Sequence, residues 1–375
     1  MNAASSSSVS AAAGRPIMIM AGGTGGHVFP ALALARLLRA HSRSVIWLGT
    51  RRGLEARVVP AEGFAIEWLS IAGLRGKGVA SMLKAPFMLA RAVWEALRIV
   101  RRHRPSVVVG LGGFVAGPGG LAAWLCRRPL LIHEQNAIAG YTNRCLAHLA
   151  REVLTAFPAA FAGNRKARLI GNPVRADIAA LAPPEQRFAD RTAPVRLLVV
   201  GGSLGAMRLN QVVPQALARL RAIAGSPSVV VRHQTGEKHL QATRAAYASA
   251  AVNGEITAFI DNMAEALAWT DLVICRAGAL TIAELAAAGI GAILVPYPHA
   301  VDDHQTHNAQ FLVQAGAARC VADAALTPDA LATLLGTLCA DRAQLVAMAR
   351  AARGVARPDA AQALFDACLQ AEQRA

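Results

Sequence analysis

Apolar runs without alternation are the feature that most restricts the fold of this 375-residue chain. Strands buried on both faces read as continuous Val/Ile/Leu runs, and helical stretches between such runs imply parallel sheets. The sequence therefore predicts an α/β protein. The predicted strands are PIMIMAG (16–22), SVIWLG (44–49), SVVVGL (106–111), PLLIHE (129–134), EVLTAF (152–157), RLLVVGG (196–202), SVVVRHQ (228–234), EITAFI (255–260), DLVIC (271–275) and AILVPY (292–297).

A weak internal repeat divides these strands into two series. IMIMAGGTGG and LLVVGGSLG each place a glycine turn between a strand and a helix, and Gly22 and Gly201 begin the two turns. We expect two Rossmann-like domains that face each other across a cleft, with ligands at the carboxyl ends of the strands. The predicted segments are a disordered tail (1–14), a first domain (15–171), a linker rich in proline and glycine (172–194) and a second domain (195–352).

Charge is distributed unevenly along the chain. The net charge is +16, but residues 1–175 contribute +17 and residues 176–375 contribute −1. A basic half beside a neutral half predicts that the first half contacts an anion, such as nucleic acid, acidic lipid or a phosphorylated substrate. The six cysteines are scattered without a C-x-x-C pair, which is typical of a reduced cytoplasmic protein.

The uncharged stretch from Pro105 to Cys126 is long enough to cross a membrane, but it contains six glycines and a second proline. Such a composition favours a strand, a loop and a helix start over a membrane span.

The two glycine turns, GGTGGH and GGSLGA, are typical of anion sites, because backbone N–H groups and a helix start converge there. Simple tight turns are the alternative. The G-x-G-x-x-G fingerprint of a dinucleotide-binding dehydrogenase is absent, since Val28 stands where the third glycine belongs. Ser203 in the second turn is either a diphosphate contact or an N-cap.

Two later stretches carry candidate sugar-nucleotide contacts. In CRAGALTIAELAAAG, Glu284 follows Thr281 at capping-box spacing, and it is alternatively a carboxylate for a ribose diol. The loop PYPHAVDDHQTHNAQFL offers amides such as Gln305, which suit sugar hydroxyls better than a metal. Asp302 and Asp303 do not form a D-x-D motif, so no metal cofactor is predicted.

Polar side chains also lie near the strand ends of the first half. His27 follows the first glycine turn and is either structural or catalytic, and IHEQN places Glu134 at the end of another strand. The basic stretch 74–105 predicts a helix with most charges on one face. This helix either packs in the first domain with a solvated basic face or lies at an anionic membrane surface.

Seven stretches together resemble the MurG family of bacterial glycosyltransferases: GGTGGHVFPALALA, GGFVAGPGGLAAW, HEQNAIAGYTNR, GNPVR, GGSLGA, CRAGALTIAELAAAG and DHQTHNA. The resemblance covers about residues 16–355 and implies a GT-B fold, with a C-terminal helix (353–375) that packs back on the first domain. It also implies inverting transfer of N-acetylglucosamine from UDP-N-acetylglucosamine to lipid I, the lipid-linked muramoyl-pentapeptide. The product is β(1→4)-linked lipid II of peptidoglycan, made at the cytoplasmic face of the inner membrane by a peripheral enzyme.

Site residues follow from the same resemblance. His27 and then Glu134 are the candidate bases, and Gly112, Gly113 and Phe114 are expected at the acceptor. The residues expected at the donor are Thr24, Gly25, Gly26, Asn136, Arg175, Ser203, Ile260, Ala279, Leu280, Thr281, Glu284 and Gln305.

The sequence departs from the family pattern at Leu204, where an amide is usual, and at Phe114, where tyrosine is common. Two rival functions remain. A UDP-N-acetylglucosamine 2-epimerase has the same fold without a lipid acceptor, and a nucleic-acid-binding protein would account for the charge alone, although no RNP, KH or helix-turn-helix signature is present.

Overall fold

The computed structural model describes residues 14–71, 79–202 and 205–374, without the side chains of 79–84. Two parallel sheets, of seven and six strands, form two Rossmann-like domains. This confirms the predicted fold class. The expected disordered tail lies almost entirely outside the described residues.

The first sheet has the strand order β3-β2-β1-β4-β5-β6-β7, and helices cover both of its faces. Its strands are β1 (Ile17–Ala21), β2 (Val45–Gly49), β3 (Ala65–Trp68), β4 (Val107–Gly112), β5 (Leu130–Glu134), β6 (Glu152–Thr155) and β7 (Ala167–Leu169). Its helices are α1 (Gly25–Ala40), α2 (Glu55–Ala61), α3 (Val79–His103), α4 (Ala116–Leu125) and α5 (Tyr141–Leu149). The central strands are fully buried, as their unalternating apolar runs predict.

Two short helices in the connecting segment, α6 (Ala176–Ala179) and α7 (Pro184–Phe188), pack on the second domain through Ile178 and Phe188. The second sheet has the order β10-β9-β8-β11-β12-β13. Its strands are β8 (Val195–Val200), β9 (Val229–Gln234), β10 (Glu255–Thr257), β11 (Leu272–Cys275), β12 (Gly291–Leu294) and β13 (Ala318–Cys320). Its helices are α8 (Met207–Ala222), α9 (Leu240–Ser249), α10 (Met263–Trp269), α11 (Ala279–Ala288), α12 (His304–Gln314), α13 (Pro328–Ala340) and α14 (Arg342–Gly354).

The last helix, α15 (Ala360–Gln373), returns to the first domain and packs along α1. Leu364, Phe365 and Cys368 are buried in the same core as β1 and β4, and Arg43 forms an ion pair with Glu372. The first domain therefore completes its core with residues from the far end of the chain.

Each sheet has a switch point where the strand order reverses, between β1 and β4 in the first sheet and between β8 and β11 in the second. Ligands of open parallel sheets bind beyond the carboxyl ends of the strands at such points. Both glycine turns follow a switch-point strand, β1 or β8.

No helix in the described ranges is long and apolar enough to cross a membrane, and the uncharged stretch from Pro105 to Cys126 forms β4 and α4.

Candidate active site

Two glycine segments of the first domain press directly against each other. Gly112 and Gly113, at the end of β4, have φ angles of +108° and +83°. A Cβ on Gly113 would lie 2.4 Å from the carbonyl oxygen of Gly22, and a Cβ on Gly112 would lie 2.5 Å from Nδ1 of His27. Only glycine has both the backbone freedom and the small size that this contact needs. The segments predicted to contact donor and acceptor are therefore neighbours.

The carboxylate of Glu55 holds the first glycine turn in place. Its buried carboxylate accepts hydrogen bonds from the backbone N–H of Gly23 at 2.8 Å, and from the N–H and hydroxyl of Thr50 at 2.9 and 2.7 Å. Three donors compensate the burial of this charge. The sequence does not reveal Glu55, because its contact with Gly23 spans 32 residues and no local motif marks it.

His27 lies in the first turn of α1 and is held by Gln135, which follows β5. Nδ1 of His27 lies 3.1 Å from Oε1 of Gln135. The amide nitrogen of Gln135 lies 2.7 Å from the carbonyl oxygen of Leu111 and 3.1 Å from Nδ1 of His133. A carbonyl oxygen only accepts hydrogen bonds, so the contact with Leu111 fixes the orientation of the amide. Oε1 of Gln135 then accepts from Nδ1–H of His27.

This orientation determines the tautomers of both histidines. His133 accepts at Nδ1 from Gln135 and donates from Nε2 to the carbonyl oxygen of Gly171 at 2.9 Å. Burial lowers the pKa of His133, which keeps the ring neutral as this pattern requires. With its hydrogen on Nδ1, neutral His27 carries a lone pair on Nε2, and within the described residues Nε2 has no hydrogen-bond partner.

Glu134, the second candidate base, is buried and organises the loop that follows it. Its carboxylate accepts hydrogen bonds from the N–H groups of Asn136 and Gly140, both at 3.0 Å, and from the side-chain amide of Asn143 at 2.9 Å. Both oxygens are thus engaged by the protein. Its geometry is that of a positioning group, whereas His27 presents an open ring nitrogen.

The second domain contributes the start of α11. Glu284 lies one turn inside this helix and accepts a hydrogen bond from Nε of Arg175 at 3.1 Å. Burial raises the pKa of Glu284, although the charge of Arg175 opposes this shift. The capping-box interpretation of Thr281 and Glu284 is wrong. The helix begins earlier, with Gly278 as its N-cap, so Thr281 already lies within the first turn.

Side-chain amides join the two domains at the floor of the cleft. Buried Asn308 of α12 accepts at 2.8 Å from the N–H of Ala137 and donates at 3.2 Å to Oδ1 of Asn136. Asn172 donates to the carbonyl oxygens of Gln135 and Ala279, at 3.0 and 3.3 Å. A short chain of contacts thus connects the support of His27 with the start of α11.

The remaining predicted donor residues lie on nearby loops and helix starts. Thr24 is the N-cap of α1, and Gly25 and Gly26 are its first residues. Ala279 and Leu280 begin α11, and Ile260 packs against the same large hydrophobic core cluster. Gln305 accepts at Oε1 from the N–H of Tyr297 at 2.9 Å.

Phe114, predicted at the acceptor, has a largely exposed side chain next to the paired glycine segments. Ser203 and Leu204 lie outside the described residues. Their neighbour Gly202 exchanges two hydrogen bonds with the side chain of Gln234, at 3.2 and 2.9 Å.

Two protein domain families match the chain, one in each half. The N-terminal domain of glycosyltransferase family 28 matches residues 17–155, and the C-terminal domain of the same family matches residues 196–364. The fold and its cleft thus define a two-domain glycosyltransferase of family 28 with the GT-B architecture.

Individual relatives show which family within this class of glycosyltransferases the chain belongs to. A protein of Marinobacter nauticus, called UDP-N-acetylglucosamine–N-acetylmuramyl-(pentapeptide) pyrophosphoryl-undecaprenol N-acetylglucosamine transferase, is 56% identical over 95% of this chain and 98% of its own length. The crystal structure of Acinetobacter baumannii MurG superposes with a TM-score of 0.83 at 41% identity, covering 95% of this chain and all of that one. The chain belongs to the MurG family, as its motifs indicate.

A more distant neighbour concerns the epimerase alternative. A Listeria monocytogenes structure assigned as a UDP-N-acetylglucosamine 2-epimerase superposes with a TM-score of 0.63 at 14% identity, covering 96% of this chain and 97% of that one. At this identity the likeness extends to the fold alone.

Proposed function

We propose that this protein transfers N-acetylglucosamine from UDP-N-acetylglucosamine to the undecaprenyl-pyrophosphoryl muramoyl-pentapeptide, lipid I, with inversion at the anomeric carbon. The identity of 56% with the Marinobacter transferase over nearly the whole of both chains carries this proposal. Family membership argues against the rival assignments as an epimerase or a nucleic-acid-binding protein.

A radiolabelled donor distinguishes these functions. Incubation with labelled UDP-N-acetylglucosamine and lipid I in detergent is expected to move label into an organic-extractable product. Formation of N-acetylmannosamine without lipid labelling would instead establish the epimerase. Salt-sensitive DNA binding without any affinity for the sugar nucleotide would favour the nucleic-acid alternative.

In the proposed mechanism, Nε2 of His27 takes the proton from the acceptor hydroxyl as that oxygen attacks the anomeric carbon. The attack comes from the face opposite UDP, so the configuration inverts. Gln135 keeps the hydrogen of neutral His27 on Nδ1. This supports the assignment, because Nε2 then carries the free lone pair that a general base needs. General-base help of this kind contributes typically about 10²- to 10⁴-fold to the rate. Glu134 positions the loop that follows β5, beside the proposed general base His27.

Donor binding is assigned to the second domain and the connecting segment. Glu284 accepts hydrogen bonds from the ribose diol, and Arg175, which already orients Glu284, stabilises the departing diphosphate together with the turn around Ser203. Ala279, Leu280 and Thr281 line the donor site at the start of α11. Ile260 contacts the uracil base, and Gln305 contacts a hydroxyl of the donor sugar. Thr24, Gly25, Gly26 and Asn136 approach the donor from the first domain, whereas Gly112, Gly113 and Phe114 face the acceptor diphosphate.

The tautomer assignment gives a direct prediction for Gln135. In Gln135→Leu we expect kcat to fall by about 10- to 100-fold, because the imidazole loses the acceptor that fixes its proton and its orientation.

Steady-state kinetics measure this effect, and Gln362→Leu at an exposed position of α15 is the matched control. A Gln135→Leu enzyme with normal kcat would remove Gln135 from the mechanism.

We further propose that α3 docks the enzyme on an anionic membrane surface. Its inner face is buried through Ala92, Ala96 and Ile99. Its outer face carries Phe87, which is 80% exposed, and Trp94, which is 56% exposed. One of the two alternatives from the sequence was a helix packed in the first domain with a solvated basic face. The inner face of α3 is packed in this way, but its outer face carries exposed aromatic side chains besides its charges.

Arginines alternate with these aromatic rings along the outer face. Arg91 and Arg98 follow Phe87 and Trp94 at a spacing of four residues, and the guanidinium of Arg98 lies 4.7 Å from the ring centroid of Trp94. Trp and Phe suit the interface of a bilayer, and each arginine gains about 1 kcal/mol near acidic headgroups. This arrangement supports a peripheral position at the cytoplasmic face of the inner membrane.

Removing the two aromatic rings tests this docking. We expect Phe87→Ser/Trp94→Ser to bind vesicles of phosphatidylglycerol and phosphatidylcholine at least about 100-fold more weakly in sedimentation, because two aromatic side chains that each contribute about 1.5–3 kcal/mol when buried are lost together. Ile223→Ser/Val230→Ser removes two exposed apolar side chains of the second domain and is the matched control. Equal binding by both variants would contradict docking through α3.

A further inference from the structure

A cavity of about 490 Å3 opens at the edge of the first sheet that is opposite to the cleft. Most of its lining residues lie just before the starts of four parallel strands: Arg15 before β1, Ser106 before β4, Arg128 before β5 and Arg151 before β6. Parallel strands all begin at the same edge, so the topology brings together arginines that are far apart in the sequence.

Positive charge in this cavity exceeds negative charge. Four arginines line it, the fourth being Arg127, whereas Glu372 is its one carboxylate and is already paired with Arg43. Arg151 donates from both Nη atoms to the carbonyl oxygen of Arg374 at 3.1 Å. In the described part of the chain, no carboxylate forms an ion pair with the other three arginines.

Arg128 offers a donor that an anion in the cavity would pair. Its side chain is half-buried, and its buried Nε has no hydrogen-bond partner among the described residues. A charged donor that is buried without an acceptor is costly. The neighbouring like charges raise that cost, so an anion in the cavity would relieve both effects. The cavity volume lies within the usual range for small-ligand sites.

We propose that this cavity binds a phosphate-bearing anion. Guanidinium groups pair with phosphate oxygens in a bidentate manner, and three unpaired forks around one cavity provide that chemistry. The phosphate has two sources, a phospholipid headgroup or a soluble phosphate compound. The site is separate from the cleft, so the proposal does not rest on the assignment of donor and acceptor.

The neighbourhood of the cavity connects it to the membrane. Trp124 and Leu125 at the end of α4 are half-exposed, and only Cys126 separates them from Arg127. The helices α3 and α4 pack side by side, so these side chains extend the apolar face proposed to meet lipid. A phospholipid with its tails against Trp124 and Leu125 would place its phosphate at the cavity.

Site-resolved arginine labelling tests the proposal in the intact chain. The protein is treated with phenylglyoxal in the presence of inorganic pyrophosphate, of phosphatidylglycerol vesicles or of neutral phosphatidylcholine vesicles, and modification is mapped by mass spectrometry. We expect pyrophosphate or the anionic vesicles to protect Arg15, Arg127 and Arg128. Protection by pyrophosphate indicates that the site accepts soluble phosphate, and protection by anionic vesicles alone indicates a headgroup.

A pair of charge variants provides the affinity measurement. Arg127→Gln/Arg128→Gln is expected to weaken binding of the protecting ligand about 10- to 100-fold, as lost hydrogen bonds to charged groups do. Arg219→Gln/Arg221→Gln removes the same charge from the exposed surface of α8 in the second domain and is expected to leave occupancy of the cavity unchanged. Unprotected arginines in the wild-type protein, or equal losses in both double variants, would overturn the proposal. The wild-type labelling decides the question even where a variant is poorly folded.

Discussion

His27→Ala is expected to lower kcat by about 10²- to 10⁴-fold and to leave the donor KM nearly unchanged. The imidazole is held by Gln135 with its open nitrogen at Nε2, so its loss removes proton transfer in the transition state rather than ground-state binding. Steady-state kinetics with lipid I and labelled donor measure both constants. His148→Ala removes an exposed histidine of the same domain and is the matched control.

A His27→Ala enzyme within about threefold of wild-type kcat has another base, since general-base effects are larger than this.

Glu284→Ala is expected to raise the dissociation constant of UDP by about 100-fold. Hydrogen bonds to a charged acceptor are each worth about 1.5–3 kcal/mol, and the variant loses those to the ribose diol while leaving Arg175 without its partner. Calorimetric titration with UDP measures the loss. Glu265→Ala on the outer surface of α10 is the control. A dissociation constant within threefold of wild type would place the ribose elsewhere.

The direction of the pH dependence follows from the pKa of Glu284. Burial raises this pKa, so the carboxylate takes up its proton at a higher pH than an ordinary glutamate. A protonated carboxyl accepts hydrogen bonds more weakly, so UDP affinity falls as the pH drops through the raised pKa. The conservative variant Glu284→Gln is expected to bind UDP weakly at every pH, without this limb.

The sequence was sufficient for the family and for the central strands, because strands buried on both faces leave unbroken apolar runs. It missed β3, β7 and β13, which are short strands at the edges of the sheets whose side chains are, apart from Ala318, half-buried or exposed. Their mixed composition carries no period that distinguishes them from loops.

Site geometry was less predictable than the fold. The capping box at Thr281 was wrong because Gly278 begins the helix three residues earlier, and spacing alone does not locate that start. Glu55 and Gln135 act on glycine and histidine residues that are distant in the sequence, so no local pattern reveals them. The assigned roles of His27, Glu284 and their neighbours stay predictions until the variants are measured.

The return of α15 to the first domain has a consequence during translation. The first domain leaves the ribosome first, but Leu364, Phe365 and Cys368 of its core are synthesised only after the whole second domain. Until then, α1 exposes the apolar groove that α15 will fill, and the nascent polypeptide is open to chaperones and to aggregation. Truncation before Ala360 is therefore expected to yield insoluble protein although every proposed catalytic side chain is retained.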